Sequence, residues 1–192
     1  MTYNLPNILT LLRIALIPVF AVLFYLPVPW AHVAVTAVFA IAAITDWLDG
    51  YLARRWQQTS AFGAFLDPVA DKLMVAVALV MLVDINPTPF ADLLLALPAV
   101  IIIGREIVIS ALREWMAEVG ARTLVAVSTI GKIKTSAQMV ALLLLLYREP
   151  VGHFPTAEIG FVLLYVAAGL TLWSMFIYLR AAWPSLSDAA SK

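Results

Sequence analysis

Four aspartates stand in two short stretches whose spacing lets them act together. The first reads Asp46-Trp47-Leu48-Asp49-Gly50-Tyr51-Leu52-Ala53-Arg54. After eight residues the second reads Gly63-Ala64-Phe65-Leu66-Asp67-Pro68-Val69-Ala70-Asp71. At about 100° per residue on a helix, Asp46, Asp49, Gly50, Ala53 and Arg54 fall within one arc of about 140°. Gly63, Asp67 and Asp71 form a stripe at i, i+4 and i+8. On two consecutive antiparallel helices the stripes can face each other and gather four carboxylates. Like charges that close suppress ionisation, and divalent cations relieve the repulsion. An all-oxygen ligand set suits Mg²⁺, Mn²⁺ or Ca²⁺ rather than zinc. Two such metals are a common device for activating a phosphoryl centre. Gly50 and Ala53 remove bulk from the same face, and Arg54 is placed to bind a phosphate.

A second group is basic. Arg105, Arg113, Lys132 and Lys134 fall at or just below the depth of the carboxylates, on two further helices. Four cations there suit a second anion, such as the phosphate of an acceptor substrate. The alternative is structural: they pair with Glu106, Glu114 or Glu118, or they only set the topology.

The elements that must carry these groups follow from composition. The chain has 192 residues, of which 64% are hydrophobic and 12% charged, with a formal net charge of zero. Soluble domains are about 45–50% apolar and about 25% charged, so neither a soluble globular fold nor a disordered chain fits. A neutral total speaks against nucleic acid as a partner. With no Cys and two His, disulfides, thiolate metal sites and His-rich sites are excluded.

What remains is an all-α integral membrane protein. Six apolar runs are long enough to span: Pro6 to Leu26, His32 to Arg54, Gly63 to Val83, Asp92 to Arg113, Ile130 to Tyr147 and Ala157 to Tyr178. Loop signals separate them at Pro27-Val28-Pro29, Arg55 to Thr59, Asn86 to Pro89, Glu114 to Arg122 and Arg148-Glu149-Pro150. Asn4 to Arg13 reads as a short amphipathic helix at the membrane surface, leading into the first span. The spans make 1–192 a single membrane domain. Of the 12 basic residues, all but Arg148 lie on or toward the side that holds both termini, which the positive-inside rule assigns to the cytoplasm. At about 1.5 Å per residue, Asp46, Asp67, Asp71, Arg105, Lys132 and Lys134 share one depth, in the cytoplasmic third of a core roughly 30 Å thick. Charges there must face partners or water rather than lipid.

The motif Asp-x-x-Asp-Gly-x-x-Ala-Arg, eight residues, Gly-x-x-x-Asp-x-x-x-Asp is present at all eight fixed positions. By it the chain resembles the CDP-alcohol phosphotransferase family. Asn4 to Arg13, Gly104-Arg105-Glu106, Ala111-Leu112-Arg113-Glu114-Trp115 and Gly131-Lys132-Ile133-Lys134-Thr135 resemble the branch whose acceptor is glycerol 3-phosphate. The resemblance implies that Asp46, Asp49 and Asp67 hold two Mg²⁺ or Mn²⁺ ions, and that Asp71 is both a ligand of the second metal and the general base. Gly50, Arg54 and Ser60 would contact the CDP moiety of CDP-diacylglycerol, with Asn7 and Thr10 further candidates for that pocket. Arg105, Arg113, Lys132 and Lys134 would take the acceptor phosphate. The implied reaction is displacement at the β-phosphorus of CDP-diacylglycerol with loss of CMP. It would be carried out by a homodimer in the cell (inner) membrane, with its active site facing the cytoplasm. Two alternatives stand beside it. One is a sister transferase using serine, inositol phosphate or phosphatidylglycerol. The other, from a different class, is a divalent-cation channel or transporter; it is opposed by charges that stop at one depth and leave the outer half of every span apolar.

The carboxylate pattern predicts an absolute need for a divalent metal. Excess chelator should abolish turnover, and Asp46→Ala and Asp67→Ala should lose metal and nucleotide binding together. Undiminished turnover in chelator would exclude the two-metal site.

Overall fold

The computed structural model describes residues 5–56, 61–118 and 129–190. Side chains are described for all of these except 5, 6, 47, 49–54, 56, 61, 62, 64, 65, 67, 129–132 and 184–190. Each apolar run is a helix: α1 (Leu5–Tyr25), α2 (Ala31–Trp56), α3 (Ala61–Asp84), α4 (Asp92–Glu118), α5 (Thr129–Tyr147) and α6 (Thr156–Ala190). The breaks follow local chemistry. Between α3 and α4, the Asn86 side-chain amide donates to the Phe90 carbonyl at 2.8 Å and accepts from the Thr88 N–H at 3.0 Å. Arg148 ends α5 in the left-handed region (φ 52°), its N–H bonded to the Leu144 carbonyl at 3.0 Å. Gly152 (φ 61°) then turns the chain so that Val151 and Phe154 pair, a conformation that glycine adopts without steric cost.

Among the described residues, three helices are long and apolar enough to cross a membrane: Asn7–Tyr25, Asp92–Glu118 and Thr156–Trp183. Ala31–Asp46 and Ile133–Tyr147 are shorter apolar runs. Large apolar side chains cover the outer surface. Val100 and Ile107 on α4 are 69% and 66% exposed, and Phe176 on α6 is 64% exposed. Lipid tails, not water, are the solvent such a surface suits.

The structure departs from the expected boundaries in two ways. No separate surface helix precedes the first span among the described residues, because Leu5–Tyr25 is one continuous helix. Arg13 does not lie at the interface either. It is buried, and its Nη1 donates to Asp46 Oδ1 at 2.7 Å. The second departure is length. α4 runs on through Glu118 and α6 through Ala190, well past the ends of their apolar runs. Hydropathy marks the thickness of hydrocarbon a helix crosses, whereas backbone hydrogen bonding continues into the polar layer. His32 is buried in the first turn of α2, edge-on to the Tyr147 ring.

Lipid supplies no hydrophobic drive for helix association, so close packing must do it. The core accordingly mixes large and small residues. Phe20, Phe39, Leu79, Leu142, Leu145 and Leu164 interleave with Ala70, Ala78, Ala141 and Ala167, all essentially inaccessible. The antiparallel pair α5 and α6 packs most extensively. α1 packs on both α2 and α3, which make few contacts with each other among the described residues, and α4 leans on α6 and α3. α4 and α5, adjacent in the chain, do not pack on each other among the described residues. That gap positions the site.

At Gly160, α6 lies close against α5. A Cβ there would meet Leu144 Cβ and Leu145 Cγ at 3.0 Å and the Ala141 carbonyl at 3.1 Å, whereas at Gly169 it would meet nothing within 4 Å. Gly160→Val should therefore force the pair apart and cost about 1–3 kcal/mol, and Gly169→Ala should be neutral or slightly stabilising. Thermal unfolding of the two variants in detergent checks this; equal midpoints would show that the close approach does not matter.

Candidate active site

A cavity of about 310 Å³ opens at the charge-bearing end, in the gap between α4 and α5. α3 contributes Pro68, Asp71, Lys72 and Val75. α4 contributes Arg105, Glu106 and Arg113. α5 supplies Lys134, Thr135, Gln138 and Met139, and α6 supplies Tyr178. Helical periodicity explains the choice on α5, since Lys134 and Gln138 are four residues apart and share a face.

Glu106 organises the cations. Its Oε1 accepts from Arg105 Nη1 at 2.7 Å and from Lys134 Nζ at 2.9 Å. The second bond crosses the gap between α4 and α5. The side chains of Arg105 and Lys134 are only 10% and 4% exposed. Unpaired cations so deeply placed would be costly. The Tyr178 ring lies 5.8 Å from the Arg105 guanidinium carbon and 5.7 Å from that of Arg113, within reach of a cation–π attraction. Lys72 donates to the Ser110 hydroxyl, which donates in turn to the Glu106 carbonyl, and this ties α3 to α4.

The structural alternative weighed for the basic group thus holds in part: Arg105 and Lys134 do pair, and with Glu106. Pairing does not exhaust them. Lys72, Arg105, Arg113 and Lys134 face Asp71 and Glu106, which leaves a formal surplus of positive charge. Arg105 Nε is buried with no acceptor among the described residues, a donor that a phosphate oxygen would satisfy.

Asp71 borders two spaces. One is this cavity. The other is a small cleft lined by Arg13, Phe39, Ala42, Ala43, Asp71, Met74, Val75 and Met139. Through Arg13 that cleft touches Asp46. Of the stripes' carboxylates, Asp46 on α2 and Asp71 on α3 have described side chains: Arg13 bonds Asp46 and lines the same cleft as Asp71. α1 stands against both helices and carries Arg13 between them. Asn7, Thr10 and Arg13 form the buried edge of α1, which places Asn7 and Thr10 on the helix that adjoins both stripes. Gly63 is buried on α3.

The side chains of Asp49, Gly50, Arg54, Asp67 and Lys132 lie outside those described, and Ser60 lies outside the described residues altogether. Among the described residues, no group of three or more carboxylates or imidazoles is close enough to hold a metal. Those that are described fit one. Asp46 and Asp71 are oxygen donors, as hard divalent cations prefer. Asp46 already draws a buried cation while staying 43% exposed, so its carboxylate is open to another.

Glu106, Gln138, Tyr178 and Arg13 complete the site, and the motif includes none of them. Glu106 and Arg13 carry a usable signal, a charge within an apolar helix. Gln138 and Tyr178 carry none beyond helical spacing from a cation.

A family model described as CDP-alcohol phosphatidyltransferase matches residues 3–173 of the chain. Curated relatives match over nearly the full length. The CDP-diacylglycerol–glycerol-3-phosphate 3-phosphatidyltransferase of Pseudomonas fluorescens is 57% identical, covering 98% of this chain and 95% of its own. The protein of that name from Pectobacterium atrosepticum is also 57% identical, over 95% and 96%. That from Escherichia coli strain K12 is 54% identical, over 98% and 100%.

Proposed function

Because the chain belongs to the CDP-alcohol phosphatidyltransferase family, we propose that it transfers the phosphatidyl group of CDP-diacylglycerol to glycerol 3-phosphate. The products are phosphatidylglycerophosphate and CMP. The observation that carries this reading is full-length identity of 54–57% to relatives named for that reaction. A cation-rich cavity bordered by Asp71 supports it. In this reading residues 1–192 form one membrane domain of six spans, with both termini and the active site on the cytoplasmic side of the inner membrane. The protein acts there as a homodimer.

The division of labour follows the geometry. Glycerol 3-phosphate enters the cavity with its phosphate on Arg105, Arg113, Lys132 and Lys134. Charge-assisted contacts hold it there, and Glu106 fixes two of those cations in advance. Asp71 accepts the proton of the attacking hydroxyl. That oxygen bonds to the β-phosphorus as the bond to CMP breaks. Gly50, Arg54 and Ser60, with Asn7 and Thr10, hold the CDP moiety on the α1–α2 side. Asp46, Asp49, Asp67 and Asp71 would hold two Mg²⁺ or Mn²⁺ ions, which when bound neutralise pyrophosphate charge. Asp71 lies between the two substrates in this arrangement, as a base serving both must.

Purified protein given CDP-diacylglycerol, a divalent metal and a panel of alcohols should release CMP with glycerol 3-phosphate and not with serine, inositol phosphate or phosphatidylglycerol. Metal flux in vesicles without CMP release would reverse the assignment. Asp71→Asn should lower kcat by at least about 10²-fold while CDP-diacylglycerol still binds; a few per cent of residual activity would exclude the base. Lys134→Met leaves Glu106 paired with Arg105, and Arg113→Ala leaves Glu106 untouched. Each should raise KM for glycerol 3-phosphate about tenfold or more and leave KM for CDP-diacylglycerol nearly unchanged. Equal changes in both constants would place the acceptor phosphate elsewhere.

A further inference from the structure

Gln138 lines the cavity and has no part in the reaction described above. It is 5% exposed, and its Oε1 has no hydrogen-bond partner among the described residues. Unsatisfied buried acceptors are rare in folded proteins, and one that lines a cavity points to a ligand donor. Among the neighbouring cations, Arg105 and Lys134 donate to Glu106, and Lys72 donates to Ser110. Val75, Met139 and Pro68, which also line the cavity, carry no side-chain donor.

Position narrows what the donor can be. Lys134 and Gln138 are one helical turn apart on the same face of α5, so Gln138 lies about 6 Å further from the cavity mouth. A phosphate on Lys134 and Arg105 sits near the mouth, and the carbons of its ester reach inward. Asp71 and Gln138 line the same cavity, from α3 and α5 respectively. Glycerol 3-phosphate brings two hydroxyls into that space, and only one of them reacts.

Building on the acceptor assigned above, we propose that Gln138 is the specificity-determining residue for the non-reacting hydroxyl. Its amide oxygen accepts a hydrogen bond from the C2 hydroxyl of glycerol 3-phosphate while Asp71 accepts from the attacking C1 hydroxyl. The two bonds set which oxygen faces the phosphorus. An acceptor without the C2 hydroxyl would bury Gln138 Oε1 with no partner, so the site rejects it. Sites built to hydrogen-bond a substrate hydroxyl discriminate strongly against analogues that lack it.

The test compares glycerol 3-phosphate with 3-hydroxypropyl phosphate, which keeps the phosphate and the primary hydroxyl and lacks the C2 hydroxyl. CMP release is measured at saturating CDP-diacylglycerol. The wild type should prefer glycerol 3-phosphate by about 10- to 100-fold in kcat/KM. Gln138→Met should lose that preference by slowing on glycerol 3-phosphate alone, with KM for CDP-diacylglycerol unchanged. Gln138→Glu keeps an acceptor oxygen at the same reach; its charge weakens both phosphate substrates alike, so the preference should persist. The wild-type comparison needs no variant and stands if one fails to fold. A wild type that treats the two acceptors alike, or a Gln138→Met enzyme that keeps the preference or slows equally on both, would overturn the role of Gln138. Those outcomes leave the transferase reading intact, whereas no CMP release from the wild type with glycerol 3-phosphate would overturn both.

Discussion

A charge within hydrocarbon must be paired or hydrated, and most of this architecture answers to that constraint. Glu106 is the clearest case. It holds Arg105 of its own helix and Lys134 of α5 at hydrogen-bonding distance, and so links two helices that do not otherwise pack together among the described residues. The bridge borders a polar cavity without filling it. Replacing the cluster by apolar side chains could stabilise the bundle, as buried ion pairs often cost more than they return. In the proposed reaction the cluster receives the acceptor's phosphate.

Arg13 answers the same constraint on the other side of Asp71. Its side chain crosses from α1 to Asp46 on α2 and lines a cleft that Asp71 also lines. Asp71 thus lies between two sets of charges brought by five helices. Catalysis of phosphoryl transfer rests mainly on positioning and charge neutralisation, and both are supplied by rigid helices rather than loops.

Rigidity comes from the opposite half of the bundle. There the helices carry few charges and pack through alanine and glycine, as α5 and α6 do at Gly160. Tyrosine hydroxyls make the polar ties at that end: Tyr25 donates to Asp84 at 2.8 Å, and Tyr165 to the Leu94 carbonyl at 2.7 Å. Close packing at one end and paired charge at the other let the bundle hold an open polar cavity within an otherwise dense protein. Pro68, inside α3 beside the cavity, removes a backbone donor from the helix, a loss tolerated where polar groups or water border the backbone.

The sequence by itself determined that this is a helical membrane protein, and it pointed to two carboxylate stripes and a set of charges within the apolar runs as the place to look for chemistry. Each of these follows from periodicity and from the cost of charge in lipid, which act on the chain locally. The helix boundaries were legible to within a few residues wherever proline or asparagine breaks the backbone. They were not legible at the ends of α4 and α6, because hydropathy tracks lipid and not backbone hydrogen bonding. What only the tertiary structure decided is which helices touch. That α1 stands against both α2 and α3, that α4 and α5 stay apart, and that Glu106 takes two cations across the gap all depend on side-chain packing between distant segments. Gln138 shows the limit most plainly. A glutamine in an apolar helix has no charge or motif to mark it, and only its burial without a partner, beside Asp71 in a shared cavity, gives it a role.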